Sequence, residues 1–368
     1  MSDIILTGGG TGGHVYPALA VAHSINVQSP GASILFVGTP DRLEARVVPE
    51  AGFRFFPISS RGFTGGPREV LRTLVSLFSA YRKARELLLR ERPYVVLGTG
   101  GYVSAPVLLA ARGLGIPFFL HEQNVVPGKV NRVLGHWARR VYTSLPGSEK
   151  YLPKGKVTLI GNPVRKSASC DSPRTAKGKL GFPLDAPLLL VTGGSQGARR
   201  INEAVAGLLG ELLEKTNWSV CLICGPAQFE STHRLVHQYL GERLQLHAYF
   251  DQMPTALFAC DLAIARAGAT TLAELTTFGK PMVLVPYPYA GGHQKFNAAA
   301  VTAAGAGICL TDEDCSVENL AKVLVPLLSD SEKLIKMAAN SMAFGRPNAA
   351  EELAREVLQC LKSVQEGR

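Results

Sequence analysis

Hydrophobic and polar positions along the chain follow two alternating rhythms. In the first half, short runs of aliphatic and β-branched residues (DIILT, SILFV, YVVLG, PFFLH) are separated by stretches in which apolar residues return every three or four positions, at 17–27, 43–50, 67–92 and 105–112. The second half repeats the arrangement: PLLLVTGG, SVCLICG, LQLHAY, DLAIARAG and PMVLVPY alternate with helical patterns at 201–214, 229–239, 271–278 and 297–304. Strands that are apolar at nearly every position must be covered on both faces, and the intervening helices supply the cover. The pattern therefore predicts an α/β fold of two Rossmann-like, doubly wound parallel-sheet domains.

Gly161-Asn162-Pro163 stops the strand before it, and residues 166–179 are polar, so the seam is placed after Pro163. The expected domains are 1–163 and 164–342. Leu353, Val357, Leu358 and Leu361 recur at helical spacing and predict a terminal helix that needs a surface to pack on; segment 343–368 is assigned to the N-terminal domain. Each half opens on strand, glycine-rich turn and helix, ILTGGGTGGH and LVTGGSQGAR, and two such halves predict a ligand cleft between them.

Composition narrows the class. With 46% hydrophobic and 18% charged residues the chain is too apolar for disorder. Seven cysteines, an odd number scattered over 368 residues, argue against a disulfide framework and for a reducing compartment. Cys221-x-x-Cys224 lies in a strand-like run with no second Cys or His pair, which disfavours zinc or redox use. The N-terminus shows no export-signal pattern, and the uncharged stretch 94–111 is broken by Gly98, Gly100, Gly101 and Pro106, so no membrane span is expected.

The net charge of +10 is unevenly placed: residues 1–163 carry 19 Lys/Arg against 9 Asp/Glu, and 164–368 carry 20 of each. Between Arg61 and Arg92, eight Lys/Arg interleave with Leu71, Leu74, Val75, Leu77, Phe78 and Tyr81. A basic helix with an apolar edge suits an anionic membrane surface, although 71, 74, 75 and 78 could equally form a buried face. No nucleic-acid motif or aromatic stacking platform accompanies the charge, so nucleic acid is not expected as a partner.

Gly8-x-Gly10-x-x-Gly13 formally matches the dinucleotide fingerprint, but the second strand ends FVGTP without the acid that would hold an NAD ribose. What remains is a turn where backbone approaches a ligand closely and free amides attract anions. His14 beside it is either a core or capping residue or a general base. The 193–197 turn, GGSQG, offers amides and the Ser195 hydroxyl. At 266–274, RAGATTLAE joins a small-residue turn to a helix start, with Glu274 one turn inside; that acid either stabilises its own helix or holds ribose hydroxyls. Gln294 and Asn297 are side chains of the kind that read sugar hydroxyls. Asp312-Glu313-Asp314 follows the last strand and reads as a solvated turn rather than a metal ligand set.

Seven segments in order, TGGGTGGH at 7–14, GGYVSAP at 100–106, HEQN at 121–124, GNPVR at 161–165, GGSQGAR at 193–199, RAGATTLAE at 266–274 and HQKFNA at 293–298, resemble the motifs of the MurG family of bacterial N-acetylglucosaminyltransferases. The resemblance implies the two-domain GT-B fold and an inverting transfer of GlcNAc from UDP-GlcNAc to the 4-hydroxyl of MurNAc-pentapeptide on undecaprenyl diphosphate, in peptidoglycan synthesis. It implies a donor site on the second domain: Glu274 at the ribose, Ala269, Thr270, Thr271, Leu272 and Ala273 at the diphosphate, Ser195 at a phosphate, Phe250 at uracil through its backbone, and Arg165 and Gln294 as further donor contacts. Phe250 stands where the family has an aliphatic residue. Thr11, Gly12, Gly13 and Asn124 match positions near the transferred sugar and acceptor diphosphate, with Gly10 and Tyr102 on the acceptor side. His14 is the first candidate for the base and Glu122 the second.

Such a transfer needs one base and stabilisation of departing UDP, which helix N-termini can contribute. No protein-held cofactor is expected, and no ligand set for a divalent ion is evident. The resemblance further implies peripheral attachment to the cytoplasmic face of the inner membrane, with cell-wall synthesis or division proteins as partners. Alternatives of other kinds are a transferase of the same fold with another lipid acceptor such as diacylglycerol, a UDP-GlcNAc 2-epimerase, and a non-catalytic UDP-sugar sensor.

Overall fold

In a computed structural model, residues 1–60, 67–164, 170–194 and 197–367 are described. The chain divides into two compact units, Met1–Val164 with Pro347–Arg368, and Arg165–Arg346. The first seam thus falls one residue beyond the expected one. The return lies four residues beyond position 343, because a helix the sequence pattern did not predict runs on to Phe344.

The first unit runs β1 (Ile4–Gly8), α1 (Gly12–Gln28), β2 (Ile34–Gly38), α2 (Leu43–Glu50), β3 (Arg54–Pro57), α3 (Pro67–Glu91), β4 (Val95–Gly100), α4 (Ser104–Gly113), β5 (Phe118–Glu122), α5 (Lys129–Leu134), β6 (Arg140–Thr143) and β7 (Val157–Leu159). Its strands pair in parallel in the order β3-β2-β1-β4-β5-β6-β7. Successive β1 residues point to opposite faces: Ile4 and Leu6 join a core with Val15, Leu19 and Val21 of α1, and Ile5 joins another with Leu87 of α3 and Val107 of α4. The order reverses between β1 and β4. In open α/β sheets the ligand crevice opens at such a point, outside the carboxyl ends of the strands.

The second unit runs α6 (Pro173–Lys179), β8 (Leu188–Thr192), α7 (Arg199–Lys215), β9 (Ser219–Ile223), α8 (Phe229–Val236), β10 (Leu244–His247), α9 (Met253–Ala259), β11 (Leu262–Ala265), α10 (Ala269–Thr277), β12 (Met282–Leu284), α11 (His293–Ala303), β13 (Gly307–Cys309), α12 (Val317–Leu328) and α13 (Ser331–Phe344). Its parallel order is β10-β9-β8-β11-β12-β13, reversing between β8 and β11. Leu189 and Val191 face α7 and α12, while Leu188 and Leu190 face α9 and α10. Cys221 is fully buried on β9, where desolvation pushes its thiol up to about 12, and Cys224 just beyond is also raised by burial. Both are free thiols.

The chain then returns to the first unit as α14 (Ala349–Glu366), which sets Leu353, Val357 and Leu361 into the core beside Ile4, Phe36 and Tyr142. The Tyr142 hydroxyl donates to Glu356 at 2.6 Å. Of the α3 side chains, Thr73, Ala80, Ala84, Leu87 and Leu88 are buried, whereas Val75 and Phe78 are 63% and 64% exposed. Leu71 and Leu74 lie outside the described side chains. Among the described residues no helix is long and apolar enough to cross a membrane.

Candidate functional site

In the first unit the turn from β1 to α1 meets the turn from β4 to α4. The Gly9 N–H donates to the Gly100 carbonyl at 3.3 Å. A side chain at Gly101, which has φ +85°, would collide with the Gly9 carbonyl, and one at Gly100 would come 2.8 Å from the His14 ring. The glycines therefore let the two turns and the imidazole share one small space. Helix α1 begins without a side-chain cap. The first amides with intrahelical acceptors are those of His14 and Val15, both bonded to the Thr11 carbonyl, so Gly12 and Gly13 present N–H groups at a helix start. The Gly10 N–H is already engaged by Glu44, at 3.2 Å to each carboxylate oxygen, which leaves Gly10 of the acceptor-side set no amide to offer. Tyr102 stands exposed at the β4–α4 turn, its carbonyl accepting from the Ser60 hydroxyl.

His14 Nδ1 lies 3.2 Å from the Gly9 carbonyl and 3.3 Å from the Thr11 hydroxyl. A carbonyl can only accept, so Nδ1 carries the proton and Nε2 keeps its lone pair. Burial lowers the His14 pKa below its ordinary value, against the raising influence of Glu122, the Gly9 carbonyl and Glu44. The ring is thus neutral at neutral pH with one nitrogen able to take a proton.

Glu122, the second candidate for the base, is held by its own loop. Its Oε1 accepts the Asn124 N–H at 2.9 Å and the Asn124 amide at 3.3 Å; its Oε2 accepts the Gly128 N–H at 3.0 Å and the Asn131 amide at 2.8 Å. A carboxylate only 2% exposed and holding four donors is a scaffold for the loop after β5, and it fixes Asn124. The adjacent His121 ties β5 to the segment leaving the unit, with Nε2 2.9 Å from the Gly161 carbonyl and Nδ1 accepting from Gln123 at 3.0 Å. Burial, reinforced by His14, pushes its pKa down to about 4 against the pull of the Gly161 carbonyl.

In the second unit α10 starts behind Gly268, which has no side chain to cap it. Its first intrahelical bond runs from Leu272 N–H to the Gly268 carbonyl at 2.9 Å, so the N–H groups of Ala269, Thr270 and Thr271 point outward, toward the positive end of the helix dipole. The Thr270 hydroxyl is shielded from water with no partner among the described residues. Leu272 packs in the core, Ala273 is half-buried, and Glu274 sits one turn in. The Glu274 carboxylate has no hydrogen-bond or ion-pair partner among the described residues, and desolvation pushes it up to about 7. Asp or Glu at a helix start usually accepts an N–H or meets a cation; among the described residues this one does neither.

Gln294 is placed by the strand-to-helix connection after β12, its side-chain oxygen accepting the Tyr287 N–H at 3.0 Å. Phe250 follows β10, partly buried, its ring 4.6 Å from that of His247. Arg165 and Ser195 lie outside the described residues. Two expectations are corrected. Asn297 is fully buried and donates to the Ala267 carbonyl at 3.2 Å, tying α11 to the turn before α10, so it does not read a ligand. In the acidic turn Glu313 and Asp314 are exposed as expected, but Asp312 is mostly buried and ion-paired with Arg266 at 2.5 Å and with Arg200 at 3.4 Å. Arg266 also donates to the Val285 and Pro286 carbonyls and lies 5.5 Å from the Tyr287 ring, bracing the segment that leads to Gln294. Sequence reasoning also passed over Glu44, 1% exposed; an acid two residues into a helix gave no sign that the glycine turn would come to it.

Each doubly wound unit leaves a helix start open at its switch point, beside a neutral imidazole in the first and, in the second, beside an acid with no partner among the described residues, and open helix starts of this kind receive phosphate groups. Residues 4–143 match the glycosyltransferase family 28 N-terminal domain, and 188–353 match its C-terminal domain. The UDP-N-acetylglucosamine–N-acetylmuramyl-(pentapeptide) pyrophosphoryl-undecaprenol N-acetylglucosamine transferase of Desulfitobacterium hafniense is 40% identical over 365 residues, 96% of this chain and 98% of that protein. The enzyme of the same name from Acetivibrio thermocellus is 36% identical, covering 99% and 100%. The crystal structure of Acinetobacter baumannii MurG superposes with a TM-score of 0.77 at 29% identity, over 98% of this chain and 100% of that one. The chain belongs to glycosyltransferase family 28 and, within it, to the MurG family, and its two parallel-sheet units are those of the GT-B fold.

Proposed function

We propose that this protein transfers GlcNAc from UDP-GlcNAc to the 4-hydroxyl of MurNAc-pentapeptide on undecaprenyl diphosphate, with inversion. The observation that carries the reading is Glu274: a desolvated carboxylate with no partner among the described residues, one turn behind an uncapped helix start, suits ribose hydroxyls while the α10 amides suit the diphosphate. The acceptor's O4 forms a bond to C1, its proton passes to His14 Nε2, and the C1–O bond breaks with its electron pair going to the β-phosphate of UDP. The α10 dipole stabilises that departing charge, without a protein-held cofactor. Gly12 and Gly13 amides suit the acceptor diphosphate, and Asn124, held by Glu122, suits the transferred sugar. Exposed Val75 and Phe78, with Arg82, Lys83 and Arg85 on the same helix, suit peripheral docking on an anionic leaflet, where a polyprenyl acceptor resides.

The test is transfer of labelled GlcNAc to a short-chain analogue of that acceptor, with a no-acceptor control for epimerisation and a diacylglycerol control. A β1,4-linked product that depends on the acceptor supports the reading. Product without acceptor, or only on diacylglycerol, overturns it. His14→Ala should lower turnover by roughly 10²–10⁴-fold with UDP-GlcNAc binding retained.

A further inference from the structure

The peptide group between Gly9 and Gly10 has both its polar atoms in use. Its N–H donates to Glu44, and its C=O accepts from His14 Nδ1. Glu44 reaches this position from the first turn of α2: Oε1 accepts the Thr39 N–H at 3.0 Å and the Thr39 hydroxyl as well. A side chain at Gly9 would collide with Oε1, and a Cβ at Gly38 would come 2.6 Å from Glu44 Cγ. The carboxylate thus threads between two turns that only glycine can line, and it is 1% exposed without a cation paired to it among the described residues. Burying a charge in this way is costly unless hydrogen bonds or a countercharge compensate it.

We propose that Glu44 is a positioning residue for His14, acting through the Gly9–Gly10 peptide: carboxylate to N–H, C=O to imidazole. A carboxylate on the N–H side polarises the peptide and strengthens its oxygen as an acceptor, by the cooperativity of linked hydrogen bonds. The stronger acceptor fixes the Nδ1–H tautomer and directs Nε2 outward. When Nε2 takes a proton, the imidazolium gains a countercharge through the same peptide. The arrangement orders a base by a third group, with a peptide inserted where a carboxylate usually meets the ring directly. Among the described residues the charged and titratable groups around His14 are Glu122 and His121 from β5 and Glu44 from α2; β4 contributes Gly100 and Thr99, whose hydroxyl donates to the His14 carbonyl at 2.8 Å. Glu122 holds its own loop, so Glu44 is the acid whose hydrogen bonds lead to the ring.

The idea that His14 is the base rests on the proposed transfer; the relay itself can be tested without it. In the full chain labelled with ¹⁵N in the imidazoles and the backbone, with His14 assigned by comparison with His14→Gln, the expected neutral form is Nδ1–H, and the Gly10 amide resonance titrates with the His14 midpoint. Glu44→Gln keeps an acceptor oxygen for the Gly10 and Thr39 N–H groups but removes the charge, and should lower the His14 midpoint by about 0.3–1 unit. In the transfer assay it should cut kcat by roughly 3- to 30-fold, leave the KM for UDP-GlcNAc unchanged and move the acid limb of kcat/KM down in pH. A wild-type Nε2–H tautomer, a Gly10 amide blind to the His14 titration, or a Glu44→Gln protein whose His14 midpoint and acid limb do not move would overturn the relay. Absence of transfer in the wild type, with the amide and ring titrating together, would instead overturn the assigned reaction and leave the relay standing. The wild-type measurements decide the matter even if the variant does not fold.

Discussion

Gln294 accepts the Tyr287 N–H through its side-chain oxygen, which fixes the carboxamide so that its nitrogen would lie 4.0 Å from a Cβ on Gly268, at the entrance to α10. Among the described residues no acceptor is paired with Gln294 Nε2, which faces the turn proposed to hold the sugar diphosphate. If the proposed contact is to the sugar, Gln294→Leu should weaken UDP-GlcNAc while leaving UDP nearly unaffected. One neutral hydrogen bond is worth about 0.5–1.5 kcal/mol, or roughly 2- to 12-fold in affinity. Calorimetric titration with the two ligands checks it, and equal weakening of both would remove Gln294 from the sugar.

Glu274 makes a prediction with a sign. Its folded pKa is raised to about 7, so ionisation costs the fold progressively between the ordinary carboxylate pKa and about 7, and that cost persists above it. Glu274→Gln should therefore melt higher than wild type at pH 8, by an amount that vanishes near pH 4. Discounted for partial exposure, the gain is about 1–2 kcal/mol, or roughly 2–8 °C. Ribose hydroxyls donate to the ionised form, so wild-type affinity for UDP should fall as pH drops through about 7. In Glu274→Gln that limb should disappear and affinity at pH 8 should drop by roughly 10- to 100-fold, the worth of hydrogen bonds to a charged group. A variant that is stabler yet binds UDP as the wild type does would assign the acid no ligand.

The sequence makes some of this architecture legible and hides the rest for identifiable reasons. Helix α2 spans 43–50 in both readings, because its apolar spacing is uninterrupted. Helix α1 begins at Gly12, five residues before the predicted start, since glycines carry no periodic signal even where the turn makes them the first helical residues. Strands β3 and β7, RFFP and VTL, are short sheet edges without a long apolar run, and α13 has only two buried residues, Met337 and Ser341, so its pattern resembles a solvated helix. At the site, motif order marks His14, Glu274 and Gln294. Partners that act through backbone donors, as at Glu44 and Glu122, leave no trace in spacing. Asn297 and Asp312 mislead for the opposite reason: polar side chains beside a motif turned inward to serve the scaffold.

The exposed pair Val75 and Phe78 lies three residues apart on α3, ahead of Arg82, Lys83 and Arg85, all exposed. If this edge docks on lipid, both the apolar and the charged terms should be measurable. The double change Val75→Ser and Phe78→Ser should weaken co-sedimentation with phosphatidylglycerol vesicles by roughly tenfold or more, and binding by the wild type should fall with added salt. Melting temperature should not drop, since neither side chain is in the core. Unchanged vesicle binding would mean that another surface makes the contact.

Helix α14 closes the first unit although it is the last element in sequence, and its Leu353 is fully buried against that unit's core. Leu353→Ala should cost about 2–4 kcal/mol through lost burial and the cavity left behind. The destabilised part is the unit carrying His14, whereas Glu274 and α10 belong to the other. Heating Leu353→Ala should therefore abolish transfer at a lower temperature than in the wild type, while UDP binding, followed by calorimetry, survives to a higher temperature than activity does. Loss of both at one temperature would show that the two units unfold as a single cooperative block, so that α14 stabilises the donor site as much as the base.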